Sequence, residues 1–194
     1  GKYQDSHQGN VLVTENVVEA CLKQRVGRLV HLSSPSIYFD GRDHLGLTEE
    51  QVPKRFKHPY AATKYLAEQK VFGAQEFGLE VLALRPRFVT GAGDMSIFPR
   101  LLKMQRKNRL AIVGDGLNKV DFTSVHNLNE ALLSSLLAPG SALGKAYNIS
   151  NGTPVPVWDV VNYVMRQMEL PQVTRYRSYG LSYSCLLYTS DAAD

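Results

Sequence analysis

Pro59-Tyr60-Ala61-Ala62-Thr63-Lys64 follows a long loop and opens a helix. Proline suits a first helical position, where its missing N–H is no loss. Tyr60 and Lys64 stand four apart, so both side chains fall on one helix face, one turn from each other. A free phenol has a pKa of about 10, too high for acid–base work near neutrality. A neighbouring ammonium favours the phenolate and draws that value toward working pH, where a general acid or base is most useful. Of ten tyrosines in the chain, Tyr60 alone has a lysine four residues later. A tyrosine and a lysine that merely share a helix are the plain alternative.

A second signal stands upstream. Leu29-Val30-His31-Leu32 is a near-continuous apolar run, the mark of a parallel strand buried on both faces. It leads straight into Ser33-Ser34-Pro35-Ser36-Ile37-Tyr38. Hydroxyls at the carboxyl end of such a strand lie where open α/β sheets bind ligands. They also serve simply to end a strand and begin a turn. The strand-end serines, the Tyr/Lys helix and their order together resemble the extended branch of the short-chain dehydrogenase/reductase superfamily. The resemblance implies that Ser34 is the catalytic serine, with Tyr60 the acid/base and Lys64 its partner. It further implies an NAD or NADP cofactor, with Lys64 and Tyr60 beside the nicotinamide ribose. The fold expected is α/β: the C-terminal part of a Rossmann doubly wound parallel sheet plus a partial smaller α/β substrate domain.

The composition is that of an ordinary globular protein. The chain has 194 residues, 44% hydrophobic and 21% charged, with a net charge of +4. No apolar run approaches the roughly 20 residues of a membrane span, and no secretory signal opens the chain. The densest basic stretch, Lys103 to Arg109, reads as a solvated helix face, and nothing resembles a DNA- or RNA-binding module. Two cysteines, Cys21 and Cys185, offer neither a disulfide framework nor a metal site, which suits a reducing cytoplasm. The partner expected is a small-molecule substrate, with a homodimer an open option.

The chain begins without a glycine-rich strand–turn–helix, the fingerprint by which a Rossmann domain holds pyrophosphate. Residues 185–194 (CLLYTSDAAD) break every preceding pattern and read as a non-native tail. The expectation is an internal piece of a longer enzyme. Its division is 1–90 as partial Rossmann domain and 91–184 as substrate-domain segments interleaved with the last Rossmann elements. The choice of NAD or NADP belongs to residues after the second Rossmann strand, which are absent here.

Residues 10 to 25 read as a first helix, with Val13, Val17, Ala20, Cys21 and Gln24 as its inward stripe. Gly27 is expected to end it. Asn10 near its start reads as a cap. The resemblance instead makes Asn10 the fourth active-site member, positioning backbone and water for proton relay. From Pro35 to His58 runs a connection longer than the roughly 12–15 residues of ordinary loops, expected to wall the substrate pocket. Thr48-Glu49-Glu50-Gln51 offers a short helical turn within it.

After a helix over 60–77, Glu80 to Arg85 repeats the buried-strand signature, so strand, helix and strand form a right-handed crossover. Pro86 and Arg87 follow and, by the resemblance, are cofactor neighbours; Arg87 is equally read as a structural ion-pair partner. A helix is expected over 98–107, with Phe98, Leu101, Leu102 and Gln105 inward. Two extended pieces, 110–113 and 120–125, are joined by Gly114-Asp115-Gly116, a turn and no phosphate cradle, since no helix opens after it. A helix from His126 follows, carried by Leu128, Ala131, Leu132, Ser135 and Leu136. Residues 146–150 form a further strand and 157–168 a last helix.

Within the branch, Leu84-Arg85-Pro86-Arg87, Gly93-Asp94, Phe98-Pro99-Arg100-Leu101, Gly114 to Asn118 and Val120 to Thr123 resemble the 3β-hydroxysteroid dehydrogenase-like group, which includes 2-alkyl-3-oxoalkanoate reductases. That implies interconversion of a secondary alcohol and a ketone on an apolar substrate. The rival is a nucleotide-sugar epimerase or dehydratase, which must neutralise a diphosphate. Such epimerases often carry arginine where Val120 stands, and 4,6-dehydratases carry an acidic pair where Pro35-Ser36 stand. A non-catalytic dinucleotide-binding scaffold is the third reading, and it leaves the phenol without a task.

Overall fold

A computed structural model describes residues 2–42, 44–95 and 97–178, and the tail expected at 185–194 lies outside them. The described chain forms two compact units. One runs up to Val89 and takes in Thr123–Asn151; the other takes in Thr90–Phe122 and the chain from Gly152 onward.

The first unit is built on a parallel sheet in the order β1-β2-β7, from β1 (Arg28–Leu32), β2 (Glu80–Pro86) and β7 (Ala146–Ile149). Leu29 pairs with Val81 and Val30 with Leu82, so the two faces alternate along both strands. One face packs Leu29 and Val81 against Val18, Cys21, Leu22, Val71 and Phe72. These come from α2 (Val13–Lys23) and α3 (Pro59–Gly73). The other face packs Val30, Leu82 and Leu84 against Leu128, Ala131 and Leu132 of α5 (Val125–Leu136). β2 is buried along most of its length, as its apolar run demands. β1 is only partly covered, and Leu32 is 43% exposed, because among the described residues β1 has a strand on one side alone.

α3 joins β1 to β2 on one face, whereas α5 precedes β7 on the opposite face. The strands advance in a single direction, so the two crossovers have opposite hands and only one obeys the usual right-handed rule. The second is a long excursion. The chain departs through β3 (Val89–Thr90), passes through the other unit, and returns through β6 (Thr123–Ser124).

The N-terminal helix begins earlier than the sequence predicts, with α1 (Lys2–His7), and a π-helical stretch at Gln8–Leu12 leads into α2. Its inward stripe is also different. Val11 is buried, and Val18, Cys21 and Leu22 pack on the core, while Val13 and Val17 are exposed. Arg25, not Gly27, takes the left-handed conformation that ends α2 (φ 54°). The Val26 N–H donates to the Cys21 carbonyl at 2.9 Å and the Arg25 N–H to Leu22 at 3.2 Å, the double closure of a Schellman end.

α3 stops four residues short of the expected end and passes into a 3-10 turn, Ala74–Phe77, closed by Gly78 at φ 84°. α5 begins on a Ser124 side-chain cap to the Asn127 N–H, and Leu136, expected inward, is 54% exposed.

The second unit has its own core of Leu110, Ile112, Val161, Met165 and Val173, covered by Leu101, Leu102, Met104 and Trp158. Leu101, Leu102 and Met104 lie on α4 (Phe98–Arg106), Trp158, Val161 and Met165 on α6 (Val157–Gln167), Ile112 on a short strand, and Leu110 and Val173 on connecting segments. The Asp94 carboxylate accepts the N–H groups of Ile97 and Phe98 at the start of α4, where negative charge is favoured. β4 (Ile112–Val113) pairs with β9 (Tyr176–Arg177), and β5 (Lys119–Val120) with β8 (Val155–Pro156). The pieces flanking Gly114-Asp115-Gly116 thus pair with distant strands and not with each other. Among the described residues no helix is long and apolar enough to cross a membrane.

Candidate active site

α3 starts as its sequence dictates. His58 is extended (φ −126°, ψ 140°), and Pro59 takes the first helical position. Ala61, Thr63 and Ala67 are buried against the unit, and their small side chains let the helix approach it closely. Tyr60 is left half exposed at the first turn, at 49%. Lys64, one turn on, is partly buried and donates to the Leu32 carbonyl at 2.8 Å. Leu32 is the last residue of β1, and Ser33 and Ser34 follow it. Lys64 of α3 therefore rests on the strand end that leads into the serines.

Ser34 caps the 3-10 turn Pro35–Tyr38 and accepts the Ser36 N–H at 3.2 Å. Its own hydroxyl donates to Ser36 Oγ at 2.9 Å. Asn10 is no helix cap, since it lies inside the π-helical stretch. Its Nδ2 donates to Thr63 Oγ1 at 3.0 Å, and the buried Thr63 hydroxyl donates to the Tyr60 carbonyl at 3.1 Å. Asn10 is thereby tied to the turn between Tyr60 and Lys64.

Pro86 and Arg87 leave β2 at the carboxyl end of the sheet, beside the end of β1, where the Ser33 N–H donates to Leu84. The Arg87 N–H donates to Ile149 at 3.0 Å, and its guanidinium lies 5.0 Å from the centre of the Phe88 ring. Its side chain is exposed.

On the α3 face both strands turn polar toward their carboxyl ends. β1 goes from Leu29 to His31 and then Ser33; β2 goes from Val81 and Ala83 to Arg85. His31 Nε2 is buried with no hydrogen-bond partner. Burial first, then the Lys64 cation, pushes the His31 pKa down to about 4. Burial also lowers the Lys64 pKa, and the Glu68 carboxylate one turn further along α3 acts against that. Glu68 is wholly buried and paired with the buried Arg85. Burial raises the Tyr38 phenol, against the opposing pull of Arg85.

Glu68, Arg85, Tyr38 and His31 did not stand out as site residues in the sequence. The available signals were an arginine closing an apolar strand and a glutamate at the i+4 position from Lys64. Part of the loop after Ser34 lines a cavity of about 780 Å³, with Glu49, Glu50, Lys54, Tyr65, Glu68 and Arg85 among its walls. Ser34, Tyr60 and Lys64 are not in its lining. The expected Thr48–Gln51 turn is present, with the Thr48 N–H on Gln51 Oε1 at 2.7 Å and the Gln51 N–H on the Thr48 carbonyl at 3.2 Å. Among the described residues no group of three His, Cys, Asp or Glu is placed to hold a metal ion.

The fold is thus the parallel, helix-covered α/β type of Rossmann enzymes, with the Lys64 ammonium on the strand end that leads into Ser34. The chain belongs to the 3-beta hydroxysteroid dehydrogenase/isomerase family, whose model matches residues 1–178. It is 43% identical over 189 residues to a 2-alkyl-3-oxoalkanoate reductase of Stenotrophomonas maltophilia, covering 94% of this chain and 57% of that one. It is 34% identical over 164 residues to the human sterol-4-alpha-carboxylate 3-dehydrogenase, decarboxylating, covering 80% and 44% of the two chains. Among solved structures, MoeE5 in complex with UDP-glucuronic acid and NAD matches with a TM-score of 0.71 and 33% identity, covering 87% and 57%. The chain spans about half the length of the curated relatives it matches.

Proposed function

We propose that this chain carries the acid–base half of an NAD(P)-dependent oxidoreductase that interconverts a secondary alcohol and a ketone. The apolar substrate is of the 3-oxoacyl or 3β-hydroxysteroid kind. The observation that carries the reading is the 2.8 Å bond from Lys64 Nζ to the Leu32 carbonyl, which brings the Tyr60 helix against the strand leading into Ser34. A partly buried ammonium and a half-exposed phenol at the carboxyl end of a parallel sheet suit a nicotinamide ribose and its reacting partner. When bound, the nicotinamide would supply the redox chemistry.

In the direction of oxidation, Tyr60 takes the proton of the substrate hydroxyl and Lys64 stabilises the phenolate. The Ser34 hydroxyl turns from Ser36 to hold the substrate oxygen. Asn10 holds the first turn of α3 through Thr63, and Pro86 and Arg87 flank the cofactor from the neighbouring strand end. The setting is cytoplasmic, in keeping with two cysteines that offer no disulfide framework.

A second reading, a nucleotide-sugar epimerase or dehydratase, is favoured by the 33% identity to MoeE5 with its UDP-sugar. The two separate on one experiment, the complete gene product with 2-alkyl-3-oxoalkanoates, 4-carboxysterols and UDP-sugars. Nicotinamide absorbance reads the first two; chromatography of the product reads the sugars, because epimerisation or dehydration returns the hydride. Turnover of an oxoacyl or sterol compound is expected. Conversion of UDP-sugars alone would overturn the apolar reading in favour of its rival, and tight dinucleotide binding with no turnover would favour the scaffold.

A further inference from the structure

Arg85 stands inside a buried strand, where a cation persists only when it is paired and hydrogen-bonded. Its side chain is 3% exposed and that of Glu68 is 0% exposed. Nε donates to Glu68 Oε2 at 3.0 Å and Nη2 to Oε1 at 2.5 Å, a two-pronged pairing. Nη1 makes two more bonds, to the Tyr38 hydroxyl and to the Glu49 carbonyl, the latter at 2.9 Å. Tyr38 in turn donates to Asn148 Oδ1 at 2.8 Å. Asn148 reaches back to the loop, its N–H to Glu49 Oε1 at 2.7 Å and its Nδ2 to the Leu47 carbonyl at 3.2 Å.

One guanidinium thus binds three segments around the candidate catalytic groups. Glu68 lies one turn beyond Lys64 and two beyond Tyr60 on α3. Tyr38 closes the 3-10 turn that Ser34 opens. Glu49 sits in the loop between them. Buried ion pairs are often replaceable by apolar side chains of similar volume at no cost in stability, so stability alone does not account for this one. Apolar replacements would not fix an angle, whereas a planar fork accepts its partners in a single arrangement.

We propose that Arg85 is a positioning residue that, through Glu68 on one side and Tyr38 on the other, sets the separation of the Ser34 hydroxyl from the Tyr60 phenol. The claim rests on the assignment of Ser34, Tyr60 and Lys64 made above. Reacting groups displaced by about 1 Å lose up to roughly a hundredfold in rate, so such a device has a large lever.

Tyr38→Phe tests it most cleanly, because the ring and the Arg85–Glu68 pair stay and only the hydroxyl goes. Arg85→Lys keeps the charge and loses the fork. Both are compared with wild type and Tyr60→Phe in the complete gene product, using whichever oxoacyl or 4-carboxysterol probe the wild type turns over. Rates are expressed per nicotinamide-binding site, so that unfolded protein does not count. The expected result is a kcat lowered roughly tenfold by Tyr38→Phe and further by Arg85→Lys, with both KM values within about twofold.

A purely structural role would lower the melting midpoint and the number of binding sites but leave kcat per site unchanged. Wild-type kcat per site in Tyr38→Phe, with Tyr60→Phe inactive, overturns the positioning claim and leaves the site assignment standing. If Arg85→Lys does not fold, Tyr38→Phe decides alone. Wild-type activity in Tyr60→Phe removes the assignment and the positioning claim together.

Discussion

Lys64 and His31 show how charge is managed beneath the phenol. His31 is held neutral by its surroundings, with burial the larger cause and the Lys64 ammonium the second. Its pKa is about 4 in the folded protein against 6.5 unperturbed. The unfolded chain therefore binds a proton that the folded protein refuses, and stability falls as pH drops from above 6.5 toward 4. The span is worth on the order of 3 kcal/mol at one pKa unit per 1.4 kcal/mol. Urea unfolding across that range should show this loss in the wild type and a shallower one in His31→Leu. Parallel curves for the two proteins would contradict it. The helix turn that carries Tyr60 and Lys64 and the strand end that leads into Ser34 were legible in the sequence, because both are local geometry. The roles assigned to the three came from the family resemblance. The state of His31 was not legible, since it depends on which side chains the fold brings over it.

Elements were legible in type and less so in facing. Valines at 11, 13, 17 and 18 offer two apolar stripes on the N-terminal helix, and the sequence does not say which one meets the sheet. Arg85 closes an apolar run and was read as part of that strand and of a family-like segment, not as half of an ion pair. Its partner sits on another element, and no local pattern announces a pair formed across the fold. Removing one member leaves a buried charge alone, so Glu68→Ala should cost about 3–5 kcal/mol of stability, read as a lowered urea midpoint. A change below 1 kcal/mol would mean that the pair is solvated in solution. At Gly116, φ is +75° and an added Cβ would lie 2.7 Å from Ile112 Cγ2. Gly116→Ala is expected to destabilise the second unit by about 1–3 kcal/mol, measured as its melting midpoint. An unchanged midpoint would show that the turn adapts.

At the scale of the molecule, two cores share one chain that crosses between them more than once. The strand–helix–strand rhythm made the α/β class readable from the sequence. The pairing of β4 with β9 was not readable, because more than 60 residues separate Ile112 from Tyr176 and short strands carry little periodicity. Met165 is fully buried in the second core, and Met165→Ala should cost about 2–5 kcal/mol. Calorimetry would show this as a lowered transition, and an unshifted one would argue against that core. The central claim concerns the phenol of Tyr60, and the most direct measurement is kcat together with nicotinamide affinity for Tyr60→Phe in the complete gene product. A proton-transfer group contributes about 10²–10⁴ in rate, so the account predicts a kcat lower by that factor with cofactor affinity nearly kept. Turnover at the wild-type rate would contradict it.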